Sequence, residues 1–155
     1  MKHTETNEGI LAALTALSSR EQSNPTVREL AAELTAPYLH RSSAVHLIID
    51  ELHRRFVYTK GDPLSAEMIG PLPPFTGKFQ GDVEEACLFV ATLAMSIGIP
   101  CRFVMARYGR AWTLFVAYER EGGGWAIASP LRQQHVKVKD ADELIMGPIS
   151  KEGPT

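Results

Sequence analysis

Cys87 and Cys101 are the only thiols in this 155-residue chain, and a thiol does nucleophilic or metal chemistry only where its surroundings generate the thiolate. Cys87 closes the stretch Gly81-Asp82-Val83-Glu84-Glu85-Ala86-Cys87, where Glu84 and Glu85 disfavour a second negative charge nearby. No histidine falls in the predicted strands next to it. His135, in the alternating run His-Val-Lys-Val-Lys, reads as an exposed strand residue, and both cysteines read as small buried hydrophobes. His46, Asp50 and His53 share one helix face at i, i+4 and i+7, a spacing that metal ligands use. They flank an apolar stripe, and no third element is apparent to complete a coordination sphere, so they read as a solvated face. Gly122-Gly123-Gly124 lacks the lysine and the following helix of a phosphate loop and reads as a turn. The residues therefore predict no cofactor and no metal site.

The elements that would hold these residues are helical first and mixed later. Ile10, Leu11, Leu14 and Leu17 recur at helical spacing, with a polar break expected from Ser18-Ser19 to Asn24-Pro25. Thr26 with Glu29 three residues on has the capping-box pattern, and Val27, Leu30, Ala31 and Leu34 form the stripe of a second helix ending at Pro37. Val45, Ile48, Ile49, Leu52 and Phe56 predict a third helix running into Val57-Tyr58, broken at Gly61-Asp62-Pro63. Residues 63–80 hold four prolines and read as a surface loop, with Pro71-Leu72-Pro73-Pro74 extended. Asp82 as N-cap and Glu85 as its partner start a helix that is apolar on almost every side, hence buried, and that ends at Gly98-Ile99-Pro100. Strands are predicted at Cys101 to Tyr108, Trp112 to Tyr118, Trp125 to Ser129 and His135 to Val138, with Glu121 to Gly124 as a hairpin loop. The aromatics Trp112, Phe115, Tyr118 and Trp125 read as sheet packing. Short connections imply an antiparallel sheet with one face on the central helix, an α+β fold.

The Gly-Asp pair, the acids after it and the helix ending in Gly-Ile-Pro resemble the nucleophile helix of the transglutaminase-like superfamily of papain-type enzymes. Val27-Arg28-Glu29-Leu30-Ala31, Phe56-Val57-Tyr58, Gly61-Asp62-Pro63, Glu67 and Pro71 are similar to the lead-in of that family, notably in members encoded by tailed phages and prophages. Residues 26–130 are spanned, about two thirds of the chain. The resemblance implies a transglutaminase-like, papain-like core and a Cys, His and Asp or Asn triad in that chain order. It places the nucleophile at Val83, the histidine at Trp112 and the acid at Ser129, and none of the three has the required side chain. Three losses at three required positions imply a pseudoenzyme, a catalytically inactive domain. The fallback is a cysteine hydrolase or acyltransferase with its nucleophile relocated to Cys87, one helical turn beyond Val83 on the same face.

Composition suits one globular domain, with 45% hydrophobic and 22% charged residues and a net charge of −2. The expected organisation is an N-terminal helical segment (1–60) packed on the core, a transglutaminase-like core (61–145) and a C-terminal tail (146–155). Near-neutral charge offers no global attraction to nucleic acid. The first three helices also resemble a winged helix-turn-helix that would use Arg41, His46, Arg54 and Arg55, yet residues 1–60 carry no basic surplus, so a DNA-binding regulator stays the less favoured alternative. The apolar stretch Ile10 to Leu17 is shorter than the roughly 20 residues of a bilayer span. Glu5 and Glu8 stand where a signal peptide would have cations. A cytoplasmic or virion protein is expected, not secreted through a signal peptide and with no membrane partner. Its expected partners are other protein subunits in a phage virion or tail assembly, with the 70–75 loop and the 147–155 tail as contact elements.

Overall fold

A computed structural model describes residues 7–36, 40–59, 75, 77–131 and 137–149. Three helices come first: α1 (Asn7–Glu21), α2 (Pro25–Thr35) and α3 (Arg41–Arg55). The polar break predicted from Ser18-Ser19 starts later, at Gln22. Ser18 is fully buried and its hydroxyl donates to the Leu14 carbonyl at 2.9 Å, which lets a polar residue stay inside α1 to Glu21. The cap of α2 is Asn24, not Thr26: Asn24 Oδ1 accepts the Thr26 N–H at 2.9 Å, and Pro25 occupies the first helical position. Proline lacks an N–H and has a helical φ, so it suits that place and fixes the cap one residue earlier.

The end of α3 runs directly into β1 (Phe56–Tyr58), which pairs in parallel with β2 (Phe79–Gly81). The surface-loop reading of 63–80 therefore fails at its end, where Phe79 and Gln80 are strand. Pairing across this distance left no local signal. The ring of Phe79 lies 5.2 Å from Phe56 and 5.6 Å from Phe89, so β2 is clamped between the end of α3 and the core. It leads straight into α4 (Val83–Ser96), which is buried from Ala86 to Met95. Both ends of α4 follow local chemistry. The Asp82 side chain accepts the Glu85 N–H and, at 3.0 Å, the Glu84 N–H, while Glu85 Oε2 accepts the Asp82 N–H at 3.0 Å, a complete capping box. A Cβ on Gly81 would sit 2.9 Å from the Glu85 side chain, so only glycine leaves room for that return bond. At the other end Gly98, with φ +88°, lets Ile99 N–H reach the Ala94 carbonyl at 3.1 Å and close the helix.

Four antiparallel strands follow, β3 (Cys101–Tyr108), β4 (Ala111–Glu119), β5 (Trp125–Ala128) and β6 (Glu143–Met146), in the order β5-β4-β3-β6. The register pairs Phe103 with Val116 and Met105 with Leu114, and these residues join α1, α2, α3 and α4 in one hydrophobic core. The opposite face carries Val104, Ala106, Phe115 and Ala117, all buried, with Val138 and Ala141 packed against them. β5 and β6 lie at opposite edges of the sheet, and Val138 and Ala141, shortly before β6, cover part of that outer face. The fourth strand predicted at His135–Val138 is corrected: His135 lies outside the described residues, Lys137 is not strand, and Val138–Asp140 is a 3₁₀ turn. Pro37, residues 60–74 and the extreme termini also lie outside the described residues.

Candidate functional site at the start of α4

Val83 is the first residue of α4, and its half-buried side chain packs against the main core. A thiol here would face the positive end of the helix dipole, which favours a thiolate; an isopropyl group has nothing to ionise. Trp112, near the start of β4, is half-buried against the same core and pairs across the sheet with Arg107. Ser129 follows the last residue of β5 and is exposed. So two of the three positions border one core and the third faces water. The segment just beyond Ser129 is held by α3: His53 Nε2 lies 2.7 Å from the Pro130 carbonyl oxygen. A carbonyl only accepts, so Nε2 carries the proton.

Cys87 is completely buried, with Sγ 3.7 Å from the Leu114 carbonyl oxygen of β4. Burial pushes its thiol well up, and the charges of Glu84 and Asp82 push in the same direction. Cys101 is buried beside the Ile99 carbonyl and is pushed up to about 12, again chiefly by burial. His40 reaches Glu121, His46 the Ser42 carbonyl oxygen and His53 Pro130. His46 and His53 thus turn to different partners although they share a helix face with Asp50. His53 is half-buried and engaged, which corrects its reading as part of a solvated face.

The feature absent from the sequence reading is the burial of Glu84. Its side chain is only 3% exposed, and Oε1 is enclosed with no hydrogen-bond partner. Asp82, Glu84 and Glu85 each place a carboxylate oxygen within 4.8 Å of the others. Burial raises Glu84 to about 8, with repulsion from Asp82, a side-chain hydrogen bond with Asp82 and then repulsion from Glu85 adding to it. Glu85 is raised to about 7, first by burial and then by its hydrogen bond with the Asp82 side chain. Acids in a first turn are ordinarily read as dipole partners and caps. The available signal was their position at the head of a helix that is apolar all round, where one first-turn acid has to face inward.

Three cavities lie away from the start of α4. Two adjoining ones, of about 280 and 260 Å³, open at the start of α3 around His40, Arg41 and Glu121. A third, of about 370 Å³, lies between α2 and Phe75 and is bounded by Glu29, Glu33 and Arg55. Val83, Cys87, Trp112 and Ser129 line none of these three. Among the described residues no helix is long and apolar enough to cross a membrane.

These elements define an α+β protein in which one buried helix backs a four-stranded antiparallel sheet. No protein-family model and no curated protein matches the chain. A solved structure similar to it is that of "a putative protease" from Parabacteroides distasonis, at 17% identity and a TM-score of 0.57. The match covers 92% of this chain and 31% of that protein, so the chain spans about a third of its length. At that identity the likeness is one of fold.

Proposed function

We propose that this chain is a transglutaminase-like domain without a working triad, serving as a protein-binding or structural module, with a tailed-phage virion or tail assembly as its setting. The observation that carries the reading is Val83 at the first position of α4, where the chemistry requires a thiol. Trp112 and Ser129 add no imidazole or carboxylate at the other two positions. The surroundings of Cys87 argue against a relocated nucleophile, since a buried thiol with two acids nearby is the reverse of an activated one. Three of the four residues proposed for DNA contact are committed to acids within the protein. Arg41 Nη1 lies 3.2 Å from Glu119 Oε1, Arg55 Nε lies 2.6 Å from Glu51 Oε2, and Arg54 pairs with the same Glu51. That weakens a DNA-binding reading, because phosphate contacts need available cations.

Alkylation of the folded full chain with iodoacetamide tests the loss of the nucleophile. The wild type is expected to stay unmodified at Cys87 and Cys101 over the time in which a free thiol reacts completely. Val83→Cys is expected to take up one adduct at least about tenfold faster than either buried thiol, in line with its half-buried position. Stoichiometric, rapid labelling of wild-type Cys87 would return the protein to the enzymes. The binding role predicts co-elution with a partner subunit or an oligomer, and no shift of a DNA duplex at low salt.

A further inference from the structure

We propose that Asp82, Glu84 and Glu85 form a binding site for a hard divalent cation such as calcium at the start of α4. The proposal goes beyond the assembly role and does not depend on the fate of the triad. It begins with an unfilled requirement: a polar oxygen enclosed by protein is nearly always paired, and Glu84 Oε1 is enclosed and unpaired. None of the ion pairs among the described residues supplies a lysine, arginine or histidine to any of the three acids. When all three carboxyls are ionised they repel one another, and a hard cation satisfies all three at once.

The geometry leaves the necessary oxygens in place. An ionised carboxylate has about four acceptor sites, so Asp82 and Glu85 can bind an ion while the helix stays capped. Glu84 commits neither oxygen to a backbone N–H of that box. The three donor oxygens lie within 4.8 Å of one another, close enough for one ion to bridge them. The helix end opposes a cation, but with a partial charge of about +0.5 against three carboxylates. All-oxygen donors also exclude a preference for soft, thiolate-seeking metals. Asp82 and Glu85 are only half-buried, which leaves room for water to complete the sphere.

Thermal unfolding of the chelator-treated full chain at pH 8, with and without 10 mM calcium chloride (an excess of about tenfold over the weak end of protein calcium sites), tests this. The expected result is a calcium-dependent rise in Tm of about 3 °C or more. Glu84→Gln keeps the shape and removes the enclosed charge, so it is expected to fold and to lose the calcium response. An unchanged Tm in calcium overturns the proposal. So does an equal response in Glu84→Gln, which would mean binding elsewhere.

Discussion

Helices α3 and α4 both begin on carboxylates, and the two groups live in opposite surroundings. At α3 the acid comes from far along the chain: Glu121, in the β4–β5 hairpin, accepts the Arg41 N–H at 2.6 Å and lies 3.3 Å from His40 Nδ1. It is exposed, and the backbone bond from Arg41 followed by the contact with His40 holds its carboxyl below the usual range. At α4 the acids are local, Asp82 and Glu85 complete a box, and Glu84 is enclosed without a cation. There the carboxyls are raised. A helix N-terminus favours negative charge in both places, but its contribution of about 1 kcal/mol is small beside the cost of burying a carboxylate. Solvent and neighbouring cations decide the charge state.

The largest expected effect of this contrast is on Glu84. A folded-state value near 8 against an ordinary value of 4.5 means that the folded chain holds a proton which the unfolded chain releases between those limits. Stability from this group is therefore highest below pH 4.5, falls as pH rises towards 8 and stays low above it. In chelator-treated buffer, Glu84→Gln should unfold at higher urea than wild type at pH 8.5, by a few kcal/mol, and match it at pH 4. Equal stability of the two at pH 8.5 would mean that Glu84 is compensated after all.

A smaller effect is expected at the cap. Asp82→Ala removes the bond to the Glu84 N–H, a loss of about 1 kcal/mol, and also removes the charge that raises Glu84 and Glu85. The two consequences oppose each other at high pH only. Urea unfolding should show a clear destabilisation at pH 5 and a smaller one, or a gain, at pH 8.5. A loss that grows with pH would contradict the repulsion assigned to this cluster.

The smallest effect belongs to Glu121. Its lowered carboxyl contributes stability that is present above the ordinary carboxylate range and is lost as pH falls through the folded value. Glu121→Gln should lower Tm slightly at pH 7 and low salt, and the difference should vanish at acid pH and shrink in high salt. A difference that persists through both changes would make Glu121 a packing residue and remove the contrast between the two helices.

Much of the architecture could be read locally. The capping box at Asp82 and Glu85, the stop at Gly98 and the burial of α4 come from contacts within a few residues, and all appear as expected. The β3–β4 hairpin follows alternation and a turn containing Gly109. Several departures lie where distant segments meet. β6 is a short edge strand beside β3, and its residues Glu143–Met146 carry only four positions of pattern. β2 is a three-residue strand whose partner sits 23 positions earlier, at Phe56 opposite Phe79. Ser18 was misread because its polarity suggests a break, while its hydroxyl is satisfied by the turn below. For the candidate site, the absence of a thiol at Val83 was visible in the residue itself. The enclosure of Glu84 was not, because periodicity cannot assign an inward face to the first turn of a helix surrounded by protein.

Local chemistry alone settles where α4 starts and stops, that it is apolar throughout, and that its first position carries no nucleophile, since caps, turns and side-chain types act over a few bonds. The tertiary fold decides which acid is shut away from water, which distant carboxylate closes α3, and which edge β6 joins. Those outcomes depend on solvation and on pairing between segments far apart in the chain, and both come into being only when the core closes.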